Sequence, residues 1–228
     1  TFFDLIRALD QVEGIERFRI SSIEPNLLTD EIIDWVATDA RAFMPHFHIP
    51  LQAGSDEVLA LMRRRYDTAL FARKIEHVRR AIPHAFIGVD LITGARGETD
   101  ELYARSRDFV RSLDISRLHV FPYSERPSTR ALDIEGVVPQ VVKHNRANEM
   151  IRISEAKWNG FASRFIGTVR PVLLEHPQSD GRPMAGFTDN YLRVEVPDAT
   201  PDMDNTIVNV LLESIHPESE TLTGKIAR

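Results

Sequence analysis

Four strand-then-helix units follow one another in the first 160 residues, and a chain written this way folds around a parallel sheet, open or closed into a barrel. Parallel neighbours need a long crossover between them, and a helix supplies it. Residues 18–23 are β-prone and end before Pro25. Thr29 then caps a helix with Asp30 and Glu31 in its first turn, where carboxylates favour the helix dipole. Ile32, Val36, Ala40 and Phe43 continue it at helical spacing. The next strand spans 46–51, after which Ser55 caps a short helix through Met62. A further helix covers 68–82, with Leu70, Ile75, Val78 and Ile82 on its apolar side. Residues 85–92 are almost continuously apolar, as in a strand covered on both faces. Thr99 caps a helix carrying Leu102, Phe109, Val110 and Leu113, and 118–121 is one more strand.

Beyond that point the pattern changes. Pro139 suits the first turn of a long helix running to about Trp158. Five short strand-like segments follow at 168–175, 184–188, 191–196, 207–215 and 222–227. Ser179-Asp180-Gly181, Asp189-Asn190 and Pro197-Asp198 punctuate them as turns. This predicts a small antiparallel β-barrel, and two domains at 1–160 and 161–228.

Composition narrows the function classes. A net charge of −6 excludes a protein that coats nucleic acid indiscriminately, which needs a basic surface. The absence of cysteine excludes disulfides and thiolate metal sites. No stretch reaches the roughly 18 to 20 apolar residues of a membrane helix. The acidic, amphipathic opening is not a signal peptide. Cytoplasm is the expected compartment, with no membrane partner; nothing in the sequence sets the oligomeric state. Thr1 in place of an initiator Met, with a helix already under way, leads us to expect a fragment.

Strand ends are where the active sites of α/β barrels lie, and three of them carry informative residues. The first reads His46-x-His48-Ile49-Pro50-Leu51-Gln52-Ala53-Gly54-Ser55. The second reads Ile87-Gly88-Val89-Asp90-Leu91-Ile92-x-Gly94-x-x-Gly97-Glu98-Thr99. The third is His119-Val120-Phe121-Pro122-Tyr123-Ser124-x-Arg126-Pro127-Ser128-Thr129. Together they resemble the radical-SAM methylthiotransferase family, whose stretches read HIPLQSGS, IGxDxIVGFPGET and FxYSxRPGTxA. Further on, Gly167-Thr168, Gly186-Phe187-Thr188-Asp189-Asn190-Tyr191 and Leu222-x-Gly224-Lys225 look like the TRAM domain that ends these enzymes. The implied fold is a partial radical-SAM (β/α) barrel followed by a TRAM-like, RNA-binding β-barrel.

The resemblance implies S-adenosylmethionine and, in a full-length parent, two 4Fe–4S clusters. One cofactor molecule methylates a sulfur on the auxiliary cluster, and a second yields the radical that takes hydrogen from the acceptor carbon. It implies as partner the anticodon stem-loop of a tRNA. Tyr123-Ser124-Glu125-Arg126-Pro127 and His48-Ile49-Pro50-Leu51 look most like the branch that methylthiolates C2 of N6-threonylcarbamoyladenosine. The alternatives are the isopentenyladenosine branch, the ribosomal-protein branch, or an RNA-binding module without clusters.

Candidate cofactor residues are Glu24, Gln52, Ser55, Arg64, Asp90, Phe121 and Tyr123. Gln52 and Ser55 stand at a strand end and a helix start, Arg64 can fork onto a carboxylate, and Asp90 can accept from a ribose hydroxyl or an amino group. Phe121 and Tyr123 resemble the segment that cradles adenine. Arg126, Lys143, Arg146 and Tyr191 are the RNA candidates, with Phe187 a second stacking residue. The second domain carries five Lys/Arg against ten Asp/Glu over 165–228, so phosphate contacts fall to the helix at 139–164. Each candidate also has a plain structural reading, as helix cap, solvated cation or packed ring. His46, His48 and His119 read as structural rather than metal ligands. Departures from the family pattern are Ala53 for Ser, Ala95-Arg96 for Phe-Pro, and Ser128 for Gly, which argues against a positive-φ turn there.

Because cluster ligands are thiolates, anaerobic iron–sulfide reconstitution of this chain is expected to give no stoichiometric cluster and no cleavage of S-adenosylmethionine. A 4Fe–4S electron paramagnetic resonance signal accompanied by deoxyadenosine would refute this.

Overall fold

A computed structural model describes residues 1–177, 182–217 and 219–227. The expected turn at Ser179-Asp180-Gly181 lies outside the described residues, as do Glu218 and Arg228 of the charge count. The chain divides into two compact units, Thr1–Ser154 and Glu155–Arg228.

The first unit contains α1 (Phe2–Asp10), β1 (Phe18–Ile20), α2 (Asp30–Thr38), β2 (Phe43–His48), α3 (Asp56–Leu61), α4 (Thr68–Ala81), β3 (Phe86–Thr93), α5 (Asp100–Ser112) and β4 (Arg117–Pro122). Its four strands are parallel and lie in chain order, β1-β2-β3-β4. Thr29 and Thr99 cap α2 and α5 through their side-chain oxygens, and Asp67 does the same for α4. Within β3 the pleat sorts the side chains: Ile87, Val89 and Leu91 are fully buried in the core with Phe47, Ile49, Phe71 and Ile75. Gly88, Asp90 and Ile92 therefore share the opposite face.

The boundary between α2 and β2 differs from the periodicity, and β2 ends at His48 where the expected strand runs to 51. Ala40 and Phe43 keep helical spacing with Val36, yet α2 stops at Thr38 and Phe43 opens β2. The reason lies thirty residues upstream. The buried Asp10 carboxylate accepts from the backbone N–H of Arg41 and Ala42, at 3.0 and 2.7 Å. Arg41 in turn donates to the Asp10 carbonyl at 2.8 Å. A buried carboxylate needs such donors, and meeting its need breaks the helix early.

α6 (Gln140–Ser163) runs from the first unit into the second. It is tied to the sheet by Ser154, whose hydroxyl accepts from the Leu118 N–H and donates to the Leu118 carbonyl. The second unit holds β5 (Val169–Leu174), β6 (Met184–Thr188), β7 (Arg193–Val196), β8 (Ile207–Ile215) and β9 (Leu222–Ile226), closed as β5-β6-β7-β9-β8. Neighbours are antiparallel except β7 and β9, whose parallel pairing closes the barrel. Val172, Leu174, Val194, Val196, Val210, Leu212 and Leu222 fill its interior.

Gly186 permits the close β5–β6 approach: a Cβ there would stand 2.1 Å from the Leu173 carbonyl oxygen. Gly186→Ala is expected to destabilise the barrel by at least about 3 kcal/mol in urea unfolding, because backbone must move. Gly160→Ala, where a Cβ meets nothing, should stabilise α6 by about 0.5–1 kcal/mol.

Candidate functional site

The C-terminal ends of β2, β3 and β4 surround an open cleft of about 540 Å³, lined by residues that include Gln52, Asp90, Ile92, Phe121, Tyr123 and Arg126. Gln52 is held there by backbone alone. Its N–H donates to the Asp90 carbonyl at 2.9 Å, and its own carbonyl accepts from Ile92 N–H at 2.9 Å. These bonds hold it at φ 67°, a left-handed state rare for a side-chain-bearing residue. Tyr66 braces the preceding backbone, its hydroxyl donating to the carbonyls of Pro50 and Leu51 at 3.0 and 3.1 Å. Burial pushes that hydroxyl up to about 12, so it stays a donor. Nothing in the sequence pattern singled out Tyr66, since a tyrosine between two helices reads as packing.

Asp90 is half-buried and hydrogen-bonded through Oδ1 to His48 Nε2 at 2.8 Å. The His48 Nδ1 lies 3.1 Å from the hydroxyl of Ser22. Phe121, on the adjoining strand, is 51% exposed, a large apolar face left open to the cleft. Tyr123 N–H donates to the Thr93 carbonyl at 2.8 Å, which extends the β3–β4 ladder to the cleft rim. Arg126 is exposed and belongs to the loop that borders the cleft together with Thr129 and Ala131.

Arg96 holds that loop. Its Nε donates to Glu125 at 2.7 Å, and its guanidinium also reaches the carbonyls of Leu132 and Ile134. Where the family has a rigid proline, this chain has a cation whose hydrogen bonds do the tethering. The turn at Ser128 has φ 63°, so the left-handed geometry is present although serine replaces glycine.

Three cofactor candidates are not among the residues lining this cleft. Glu24 and Arg64 face one another as an ion pair at 3.0 Å, each partly exposed. Arg64 thus meets a carboxylate of this chain rather than standing free for one of a ligand. Ser55 occupies the N-cap position of α3 but makes no side-chain cap bond, and among the described residues its buried hydroxyl has no partner.

The basic helix requires a correction. Lys143 and Arg146 are buried, with 5% and 6% of their surface exposed, so neither meets phosphate. The Lys143 ammonium lies 5.1 Å above the Tyr123 ring and donates to the Tyr123 carbonyl. Its stem fills the space above Gly94, where a Cβ would meet Lys143 Cγ at 2.4 Å and φ is 74°. Arg146 donates to Glu98 and Asp100 at 2.6 Å each. Burial raises the Glu98 carboxyl, while the Gly94 N–H and Arg146 favour its charged form. These two cations staple α6 to the glycine turn after β3. Charge counting along a helix cannot distinguish a staple from a solvated face. Tyr191, in the second unit, stacks on Phe187 with centroids 4.8 Å apart and 15° between planes. Arg193 lies over the Phe187 ring at 5.5 Å.

Iron–sulfur clusters do not fit this chain's own residues, which include no thiolate. Among the described residues no cluster of three His, Asp or Glu is placed to hold a metal ion. No helix of the described residues is long and apolar enough to cross a membrane.

The parallel sheet in chain order, with helices between its strands, is like the sheet of the radical-SAM fold. Residues 2–110 match the Radical SAM superfamily. The solved coproporphyrinogen III oxidase of Escherichia coli, a radical SAM enzyme, superposes with a TM-score of 0.56 over 93% of this chain and 50% of its own, at 16% identity. Sequence relatives are more specific. The threonylcarbamoyladenosine tRNA methylthiotransferase MtaB of Bacillus subtilis is 37% identical over 224 residues, 96% of this chain and 49% of the relative. The tRNA-2-methylthio-N(6)-dimethylallyladenosine synthase of Corynebacterium jeikeium is 38% identical over 181 residues, 79% of this chain and 35% of the relative. The synthase of the same name from Syntrophotalea carbinolica is 32% identical over 93% of this chain and 48% of its own length. The chain belongs to the radical-SAM methylthiotransferase family. It spans about half or less of the length of these curated relatives.

One buried imidazole on β2 makes stability depend on pH. Burial first, then the nearby Arg19 and His48 charges, hold His46 at about 3, against an ordinary 6.5. The unfolded chain therefore takes up a proton near pH 6.5 that the folded chain refuses, and stability is lost as pH falls below that value. Between pH of about 6.5 and about 4.5 the loss from this group should reach about 2–3 kcal/mol in urea unfolding. His46→Phe should flatten the acid limb, because the ring already stacks on Phe86 with centroids 5.6 Å apart.

Proposed function

We propose that this chain is the portion of a tRNA methylthiotransferase that holds S-adenosylmethionine and the modified adenosine, with the clusters supplied by thiolates outside it. The observation that carries this reading is the convergence of Gln52, Asp90, Phe121, Tyr123 and Arg126 on one cleft at the strand ends. The cleft offers a carboxylate and an amide for hydroxyl and amino groups, an exposed phenyl and Ile92 for a purine face, and a cation at the rim. S-adenosylmethionine held there would supply the radical. This chain's residues bind and orient it. In this reading Glu24 and Arg64 belong to the periphery, and Ser55 contributes through its buried hydroxyl only if the ligand reaches it.

For the substrate we favour N6-threonylcarbamoyladenosine. That base carries a carboxylate, which an arginine fork at the cleft rim would recognise, and the 37% relative that covers nearly the whole chain bears this name. The barrel serves as the TRAM-like RNA-binding unit in this reading. Its acidic balance leaves recognition to the Phe187–Tyr191 stack and Arg193 rather than to long-range attraction. Of the cations at 139–164, Arg152 and Arg164 are exposed, and the Arg164 guanidinium lies over the Phe161 ring; in this reading they are what the segment offers to phosphate.

In the complete enzyme, Arg126→Glu is expected to lower methylthiolation of threonylcarbamoyladenosine tRNA by about tenfold or more, with a smaller effect on cofactor cleavage. Mass spectrometry of nucleosides from a strain lacking the gene checks the substrate itself. Loss of the methylthio group from isopentenyladenosine instead would assign the neighbouring substrate.

A further inference from the structure

Both ring nitrogens of His48 are engaged, and the engagement ties the ends of three strands together. Nε2 contacts Asp90 Oδ1 at 2.8 Å and Nδ1 contacts Ser22 Oγ at 3.1 Å. An ionised carboxylate only accepts, so the hydrogen sits on Nε2. In a neutral imidazole Nδ1 then accepts from the Ser22 hydroxyl. Ser22 lies just past β1 at φ 55°, a conformation that serine seldom adopts, and there its hydroxyl meets the ring. Gly88 leaves space for the imidazole: a Cβ at that position would stand 3.4 Å from His48 Cδ2 and 3.8 Å from His119 Nε2. The His119 ring meets His48 edge-on, with centroids 5.4 Å apart.

The carboxylate end of this chain of contacts is the one at the cleft. Asp90 lines the cleft, whereas Ser22 and His48 do not. Among the described residues Asp90 spends only Oδ1 on protein. The direction is opposite to that of a hydrolytic triad, where the hydroxyl faces the substrate. A carboxylate fixed through one oxygen presents the other in a set orientation, while a solvated one rotates, and preorganisation of that kind favours ligand binding.

We propose that His48, its Nε2–H tautomer set by the Asp90 carboxylate and supported by Ser22, is a positioning residue that holds Asp90 so that Oδ2 receives a hydroxyl or ammonium donor of the bound ligand. The proposal rests on the reading of the cleft as the S-adenosylmethionine site, and the experiment separates the two. Long-range proton–nitrogen spectra of this chain report the tautomer of His48, assigned by its loss in His48→Gln. Titration with S-adenosylmethionine, followed by amide shifts around Asp90, reports affinity. The wild type and Ser22→Ala should show Nε2–H, and Asp90→Ala a mixture of tautomers. Asp90→Ala and His48→Phe should each weaken binding about tenfold, and the double variant should bind no more weakly than Asp90→Ala alone. His48→Gln, which keeps an N–H donor, should recover most of the affinity. An Nδ1–H tautomer, multiplying losses, or wild-type affinity in His48→Phe where Asp90→Ala is weakened overturns the positioning role alone. Absence of cofactor-induced shifts in the wild type, or unchanged affinity in Asp90→Ala, overturns the cleft reading and the positioning role with it.

Discussion

The pleat of β3 is the constraint on which the first unit depends. With hydrogen-bonded strands on both sides, its side chains have only two directions available, and the fold uses them for opposite purposes. Ile87, Val89 and Leu91 go to zero exposure among the helices. Gly88, Asp90 and Ile92 are left for the other face, where two of them line the cleft. A one-residue slip of register would bury Asp90 and expose the core. Register therefore protects the site and the core together. The main-chain bonds that prolong the ladder past the strand ends, from Gln52 to Asp90 and from Tyr123 to Thr93, set the cleft's rim by the same means.

Charge in this molecule is spent largely on holding segments together. Asp10 organises the start of β2, Arg96 tethers the loop bearing Arg126, and Arg146 with Glu98 and Asp100 fixes α6 to the turn after β3. Removing one member of a buried pair leaves an uncompensated charge and costs on the order of 3–5 kcal/mol. Such groups are poorly suited to bind RNA, whose phosphates would have to compete with an intramolecular partner already in place. Arg126, by contrast, is exposed on the loop that borders the cleft, and Arg152 is exposed on α6.

Several features were legible without coordinates. The strand-then-helix alternation, the threonine caps of α2 and α5, and the change to short strands after α6 all appear where periodicity and turn chemistry place them. So do the strands bearing Asp90 and Phe121, because strand alternation is a local property of the chain. The end of α2 was not legible, since its terminator is Asp10, a residue distant in sequence. Nor was the fate of Lys143 and Arg146. Spacing along a helix says which residues share a face, and only packing says what that face meets.

What the sequence determined alone is the order of elements, the alternation that puts polar residues at the strand ends, and the lack of any thiolate to hold a cluster. These follow from covalent order and short-range sterics. Tertiary structure decided which of those residues meet: His48 with Ser22 and Asp90, Arg64 with Glu24, Tyr66 with the backbone before Gln52. Each of these contacts spans at least 15 residues. Hydrogen-bond geometry acts over about 3 Å in space and carries no signature in sequence separation. That is why the candidate residues could be named from the chain, while their roles as pocket, staple or brace appeared only when the sheet brought them together.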